Sequence, residues 1–314
     1  MIRATRFALL VVAALGLAGI ASMAIAQPAP PGAIYQTSTA RLIGPQPPQC
    51  CVTNWMTTKP IAEYSFRRLN ASYNGPDILV RRASDNAQQA IYFWHDWVNL
   101  KALMSFCSAT SCYLVTWYDQ SGNGYDATQT TAADQGIVVN NGSLVTRVGK
   151  PALDASNASA GLAIPASASA TGSAPSTYVA VATVPNLAAA FNPGIIGFGS
   201  FSSTAATWRA LISSENSNYL DMHVGSGNSI YASMLRQDVL FVATALWQSG
   251  ALDLYYNGSS VGSSNAILNT SSGAGYIGGG SVIMELMIFS TALSDAQRQQ
   301  IEHSDGLVYG IAGQ

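Results

Sequence analysis

The sequence predicts an all-β fold, a two-layer antiparallel sandwich with one short helix near the C-terminus. Three observations carry that prediction. Short runs rich in Val, Ile, Tyr, Phe and Trp recur along the chain, with polar or glycine turns between them. Helical spacing surfaces in only two places, residues 99–106 and 294–306. Charged residues make up only 10% of the chain, against 28 Gly and 14 Tyr, a composition that fits an extracellular β-protein meeting neutral polar ligands.

The first 26 residues read as an export signal. Arg3 and Arg6 supply a basic start, residues 7–20 are apolar, and Ala24-Ile25-Ala26 offers the small residues at which a signal peptidase cuts. Cleavage is placed before Gln27. A retained membrane anchor is the rival reading, but the apolar run is short for a span. Residues 27–48 are rich in Pro, Gly, Ala and Gln and read as an extended linker. Residues 49–314 are then long enough for one large all-β domain. The mature chain is expected to be secreted or periplasmic, without membrane contact once the signal is removed. Net charge is −2 and the sequence holds no basic stripe, which argues against a nucleic-acid partner.

Four cysteines are an even count for an oxidising compartment. Cys107 and Cys112 enclose four residues and are expected to close a small loop. Cys50 and Cys51 are adjacent, and three states are compatible with that: a vicinal disulfide, two thiols, or bonds to other chains. The three histidines stand away from the cysteine pairs, so no metal site and no cofactor is expected.

Residues 61–68 read as a first strand. Residues 78–82 and 89–94, around the turn 83–86, read as a hairpin. Arg81 and Arg82 alternate, so at most one faces inward, and it is expected to meet Asp85 or cap carbonyl groups. Residues 99–106 give one or two helical turns. A strand at 113–118 ends in Asp119-Gln-Ser-Gly-Asn-Gly124, whose side chains tolerate positive φ and bond nearby backbone, so the stretch reads as a structural turn. Short extended pieces follow at 126–129 and 137–140. Residues 155–176 are Ala/Ser/Gly-rich and read as a loop or a pair of poor edge strands.

Residues 178–184 are a buried strand. The pattern continues at 195–201, 208–213, 219–224, 229–235, 240–248, 251–256, 274–277 and 282–289. Asn257-Gly258 between two of these is a hairpin signal. Ser294-Asp-Ala-Gln297 is a capping box that opens a helix expected to stop near Gly306.

One block resembles a known family. Tyr64-Ser65, Val80-Arg81-Arg82-Ala-Ser84-Asp85, Phe106-Cys107 with Cys112, and Tyr118-Asp-Gln-Ser-Gly-Asn-Gly124 are similar to the catalytic module of the α-L-arabinofuranosidase B family. The resemblance is carried by roughly a quarter of the chain. It implies a concanavalin-A-like sandwich, or jelly roll. It also implies a secreted retaining glycosidase that removes terminal arabinofuranose from plant polysaccharide. Such chemistry uses two carboxyl groups about 5 Å apart, with pKa values pushed apart by their surroundings.

In that family a tryptophan stacks on the sugar ahead of an Asp-Met-Glu triplet, whose aspartate holds a hydroxyl and whose glutamate attacks. Here Trp208 precedes Asp221-Met222 by 13 residues, and His223 stands where the glutamate would be. The family's second carboxylate follows a Gly-Gly pair, whereas Gly278-Gly279 is followed by Gly280. The candidate catalytic residues are therefore Asp221, His223 and Glu285, the last expected to have a raised pKa in an apolar strand. Glu215, in a polar turn, is a further carboxylate. Trp208, Asp221, Gly279 and Gly280 are the candidate sugar contacts. Two readings are carried forward: an arabinofuranosidase-type hydrolase acting on an arabinose-containing polysaccharide or other glycan, and a non-catalytic carbohydrate-binding sandwich, lectin- or laminin-G-like, that has lost the acid pair. A structural or adhesive module on the same scaffold is a third.

Overall fold

The computed structural model describes residues 50–158, 160–186, 194–199, 208–213, 219–224, 228–233 and 235–313. The signal segment and the linker lie outside the described residues. In chain order the strands are β1 (Ala62–Ser65), β2 (Pro76–Arg82), β3 (Gln88–Trp94), β4 (Trp97–Val98), β5 (Cys112–Trp117), β6 (Ala127–Thr128), β7 (Ile137–Asn140) and β8 (Ser143–Leu144). Then come β9 (Thr146–Arg147), β10 (Lys150–Pro151), β11 (Leu153–Asp154), β12 (Leu162–Ile164), β13 (Ser176–Thr183), β14 (Gly194–Gly199), β15 (Trp208–Ser213), β16 (Leu220–Val224) and β17 (Asn228–Ala232). The last are β18 (Phe241–Gln248), β19 (Ala251–Tyr256), β20 (Ser259–Ser264), β21 (Gly275–Ile277) and β22 (Val282–Phe289). Helix α1 (Leu100–Phe106) follows β4, and helix α2 (Asp295–Tyr309) follows β22.

The pairings are antiparallel and give two layers. The front layer runs β3-β2-β5-β6-β12-β21-β14-β15-β16-β17. The back layer runs β1-β22-β13-β18-β19-β20. Strands β7 and β11 carry the hydrogen bonding from β5 round to β22, so the layers join along one side. Alternation explains the core between them. Ile78, Leu114, Leu211 and Met222 of the front layer meet Tyr178, Ala245, Leu254 and Leu286 of the back layer in one buried cluster. The predicted all-β sandwich with a C-terminal helix is the observed architecture.

A second cluster lies on the other side of the back layer. Val179, Val181, Met287 and Phe289 pack there against Ile301, Val308 and Tyr309 of α2. A bulge shapes this face: Val181 pairs with Glu285, but Ala182 pairs with Ile283. The extra residue, Met284, restores Ile283 to the inner core and leaves Glu285 on the α2 side.

Several local signals act as read. Asn99 caps α1 by accepting from the Ala102 amide at 3.0 Å. Ser294 and Gln297 form the capping box of α2. Asn257 and Gly258 both have positive φ, as a tight hairpin turn needs. The end of α2 needs correction. The helix does not stop at Gly306 but continues to Tyr309, and Gly310 at φ 68° terminates it. A helical glycine costs about 1 kcal/mol relative to Ala, and burying Val308 and Tyr309 beyond it outweighs that.

Candidate active site

Trp208, Asp221 and His223 gather on the outer face of β15–β17. The inner positions of these strands, Leu211, Leu220, Met222, Val224 and Ile230, enter the core. Alternation therefore turns Trp208, Ala210, Asp221, His223, Ser229 and Tyr231 the other way. Ala210 pairs with His223, and its small side chain leaves room for the diagonal neighbour. Trp208 fills that room and stacks on the imidazole, with centroids 5.2 Å apart and planes 16° apart.

Hydrogen bonds fix the imidazole. His223 Nε2 lies 3.2 Å from Asp221 Oδ2, and Nδ1 lies 2.7 Å from Ser229 Oγ. An ionised Asp221 accepts from Nε2–H, which leaves Nδ1 to accept the Ser229 hydroxyl. With both nitrogens engaged, the ring is held in place between Asp221 and Ser229. Asp221 itself is only 1% exposed. Burial raises its pKa, and the His223 imidazole works against that rise. Tyr231 stands perpendicular to His223 at 5.9 Å, and Tyr219 stands perpendicular to Tyr231 at 6.3 Å. Both tyrosines are exposed, so the buried polar group has an aromatic rim.

Ser229, Tyr219 and Tyr231 were not singled out from the sequence. The cross-strand register supplies them, and register is not legible in a lone strand. The distance in sequence from Trp208 to Asp221 is one such register effect, because the two stand on paired strands.

The glycine loop is placed differently. Gly278, Gly279 and Gly280 all have positive φ, which glycine adopts without strain. The Gly278 amide donates to Ile195 O at 3.0 Å, and Gly279 O accepts from the Gly194 amide at 2.7 Å. The Gly280 amide donates to Ala155 O at 2.9 Å. The loop thus braces β14, whose Gly194 is partnered by Ile212, which in turn faces Asp221 on β16. Gly279 and Gly280 lie toward the Asp221 end of the sheet, with these backbone groups committed to the framework.

Glu285 is not brought to Asp221. It lies on the α2 side of the back layer, and the Arg67 guanidinium grips it bidentately at 2.7 Å through both Nε and Nη2. Ser65 Oγ and Tyr309 Oη also donate to it. Burial alone would raise its pKa, as expected from an apolar strand, but the charge and hydrogen bonds of Arg67 reverse the sign and hold it low. Asp305, 2.6 Å from Arg67 Nη2, is pushed well up by burial and then by Glu285. Glu285 and Asp305 thus share the buried guanidinium of Arg67. Glu215 lies outside the described residues.

The Asp119 turn is a backbone clamp. Its carboxylate accepts from the Glu63, Ser121 and Tyr125 amides at 3.0, 2.9 and 3.1 Å. Arg82 pairs with Asp85 as expected, though at the surface, and Arg81 reaches Gln135 and Asn86. Cys107–Cys112 is bonded, and so is Cys50–Cys51. Among the described residues no group of three His, Cys, Asp or Glu converges as a metal site would. No described helix is long and apolar enough to cross a membrane.

Comparison with known proteins gives this geometry a context. Residues 49–170 match the family described as alpha-L-arabinofuranosidase B, catalytic. Alpha-L-arabinofuranosidase B of Emericella nidulans is 38% identical over 95 residues, 29% of this chain and 18% of the relative. An alpha-L-arabinofuranosidase of Hypocrea jecorina is 41% identical over 69 residues, 22% of this chain and 14% of the relative. Among solved structures, an arabinofuranosidase complexed with arabinofuranosyl-alpha-1,2-xylobiose superposes with a TM-score of 0.61 at 17% identity, covering 84% of this chain and 65% of that one. An α-L-arabinofuranosidase soaked with a cyclic sulfate inhibitor gives 0.59 at 16%, with the same coverage. At those identities the structural likeness speaks for the fold. The chain spans less than two thirds of the length of each of these relatives.

Proposed function

We propose, for a chain whose residues 49–170 match the α-L-arabinofuranosidase B catalytic family, that it is exported and acts on terminal arabinofuranosyl residues of a polysaccharide. The observation that carries this reading is the seat on the front sheet. Trp208 and Asp221, far apart in sequence, meet over one imidazole on one face. An aromatic rim takes the C–H face of a furanose ring, and a buried carboxyl fixed by His223 takes its hydroxyls. Burial raises the pKa of Asp221 against the pull of His223, the direction a proton-holding carboxyl needs. Gly279 and Gly280 border the same end of the sheet, and the two disulfides fit an oxidising compartment.

The test is release of arabinose from a nitrophenyl arabinofuranoside by the full chain, beside Asp221→Asn. Turnover by the parent, reduced at least 100-fold in the variant, is the expected result. A second reading has its own support. Glycoside hydrolysis with retention needs two facing carboxyls. Among the described residues Asp221 is the carboxylate that the seat holds, while Glu285 is locked into a separate ion cluster. A sugar-binding sandwich without turnover follows if the parent binds arabinoxylan and releases nothing. Neither turnover nor binding removes both.

A further inference from the structure

A continuous line of paired residues crosses the front sheet. Ala90 on β3 leads partner by partner through Thr116, Thr128, Tyr276 and Ala210 to His223 on β16. Paired residues share a face, and residues two apart on a strand share it too. Tyr92 therefore stands on the outer face that carries the Asp221 seat, and Trp94 continues that strand beyond its last β2 partner. Both are set in water, Tyr92 53% and Trp94 68% exposed.

These rings are presented on a fixed support. Trp94 pairs with Trp97 across a tight hairpin whose tip residue His95 has φ 55°. The tip is tied to the neighbouring chain: the Arg68 amide donates to Asp96 O at 2.7 Å, and Arg68 Nε to His95 O at 3.3 Å. His95 packs perpendicular to Trp94 at 5.1 Å, and Lys150 Nζ lies 4.8 Å over the Trp97 ring. Beside them is a recess of about 490 Å³, lined by Trp94, Trp97, Val98, Asn99, Leu100 and Lys101. A rigid exposed indole beside amide and ammonium donors has the chemistry of a sugar platform. The ring takes the apolar face of a pyranose, and the polar groups take its hydroxyls. Leaving that much aromatic surface in water marks an interaction site.

We propose that the Trp94–Trp97 hairpin is a second glycan contact, holding the main chain of the polysaccharide whose terminal sugar occupies the Asp221 seat. The proposal rests on the carbohydrate reading of that seat. It follows from continuity, because Tyr92 shares the outer face of the seat and the Trp94–Trp97 hairpin extends from the edge strand that carries it. Eight strand spacings separate β3 from β16, about 38 Å along the sheet. No monosaccharide or small glycoside reaches both places, whereas a polymer does. Two weak contacts on one polymer reinforce each other through effective concentration, so removing either weakens capture of long ligands only.

The experiment uses the full chain, Trp94→Ala and Tyr92→Ala/Trp94→Ala. Each is run in affinity gels containing soluble arabinoxylan and titrated separately with nitrophenyl arabinofuranoside. Thermal unfolding confirms that these surface variants are folded. The expected result is at least a five-fold loss of retention by arabinoxylan, with affinity for the small glycoside unchanged within two-fold. Equal retention of parent and variants overturns the proposal while leaving the seat intact. A parent that is retained through Trp94 yet ignores the small glycoside keeps the platform and removes the seat. A parent that no polysaccharide retains, but that self-associates in a Trp94-dependent way, overturns it in favour of a second copy of the chain.

Discussion

Glu63 is a carboxyl with 0% exposure, at the floor of a polar recess beside Lys59, Asn54 and Ser121. Its two oxygens find no hydrogen-bond partner among the described residues. Burial, and then the neighbouring Asp119 carboxylate, push its pKa up to about 8, so it is protonated at neutral pH. The unfolded chain binds that proton only below the ordinary range, near 4.5. The native state therefore holds more protons between those values, and stability falls as pH rises from about 4.5 to about 8. For a shift of this size the loss is roughly 3 kcal/mol by pH 7. Glu63→Gln, which keeps the shape of the neutral acid, should remove most of that slope and leave the variant more stable than the parent at pH 7. Denaturant melts at pH 5 and pH 7.5 check this, and parallel curves for both proteins would refute it. Position 63 faces outward from a strand whose other faces were legible. Its burial was not, because the covering pieces come from residues 53–72 and 121, and only the fold assembles them.

At the scale of elements, Arg67, Glu285 and Asp305 tie the end of β1, the bulge of β22 and helix α2 into one cluster. Glu285 had been a candidate acid because it sits among apolar neighbours. The bulge that aims it at Arg67 cannot be read from Val282–Phe289, where every position is buried. Arg67→Met should cost roughly 3–5 kcal/mol, since it strands a buried carboxylate. Sugar binding at the Asp221 seat should survive in whatever fraction folds. A variant that keeps full stability yet loses arabinose binding would show that the cluster acts on the ligand instead. The capping box of α2 and the Asn257-Gly258 turn were readable because their chemistry is local. The true end of α2 was not, because burial of Tyr309 beyond Gly306 is a tertiary effect.

At the scale of the whole molecule, strand count, low charge and turn spacing carried the all-β sandwich, and the block at residues 63–129 carried the resemblance to the arabinofuranosidase B family. The site was half legible. Trp208, Asp221 and His223 were named from one motif, and the sheet does bring them together. Ser229 and Tyr231 came only with the pairing of β16 and β17. The outer face that they share with Tyr92 came only with the pairing across the entire front layer. The central claim is that this face seats a sugar at Trp208 and Asp221. The most direct measurement is calorimetric titration of the full chain with an arabinofuranosyl oligosaccharide, alongside Trp208→Ala. Saturable binding by the parent, weakened at least ten-fold in Trp208→Ala without loss of fold, is the predicted result. Undiminished affinity in that variant would contradict the account.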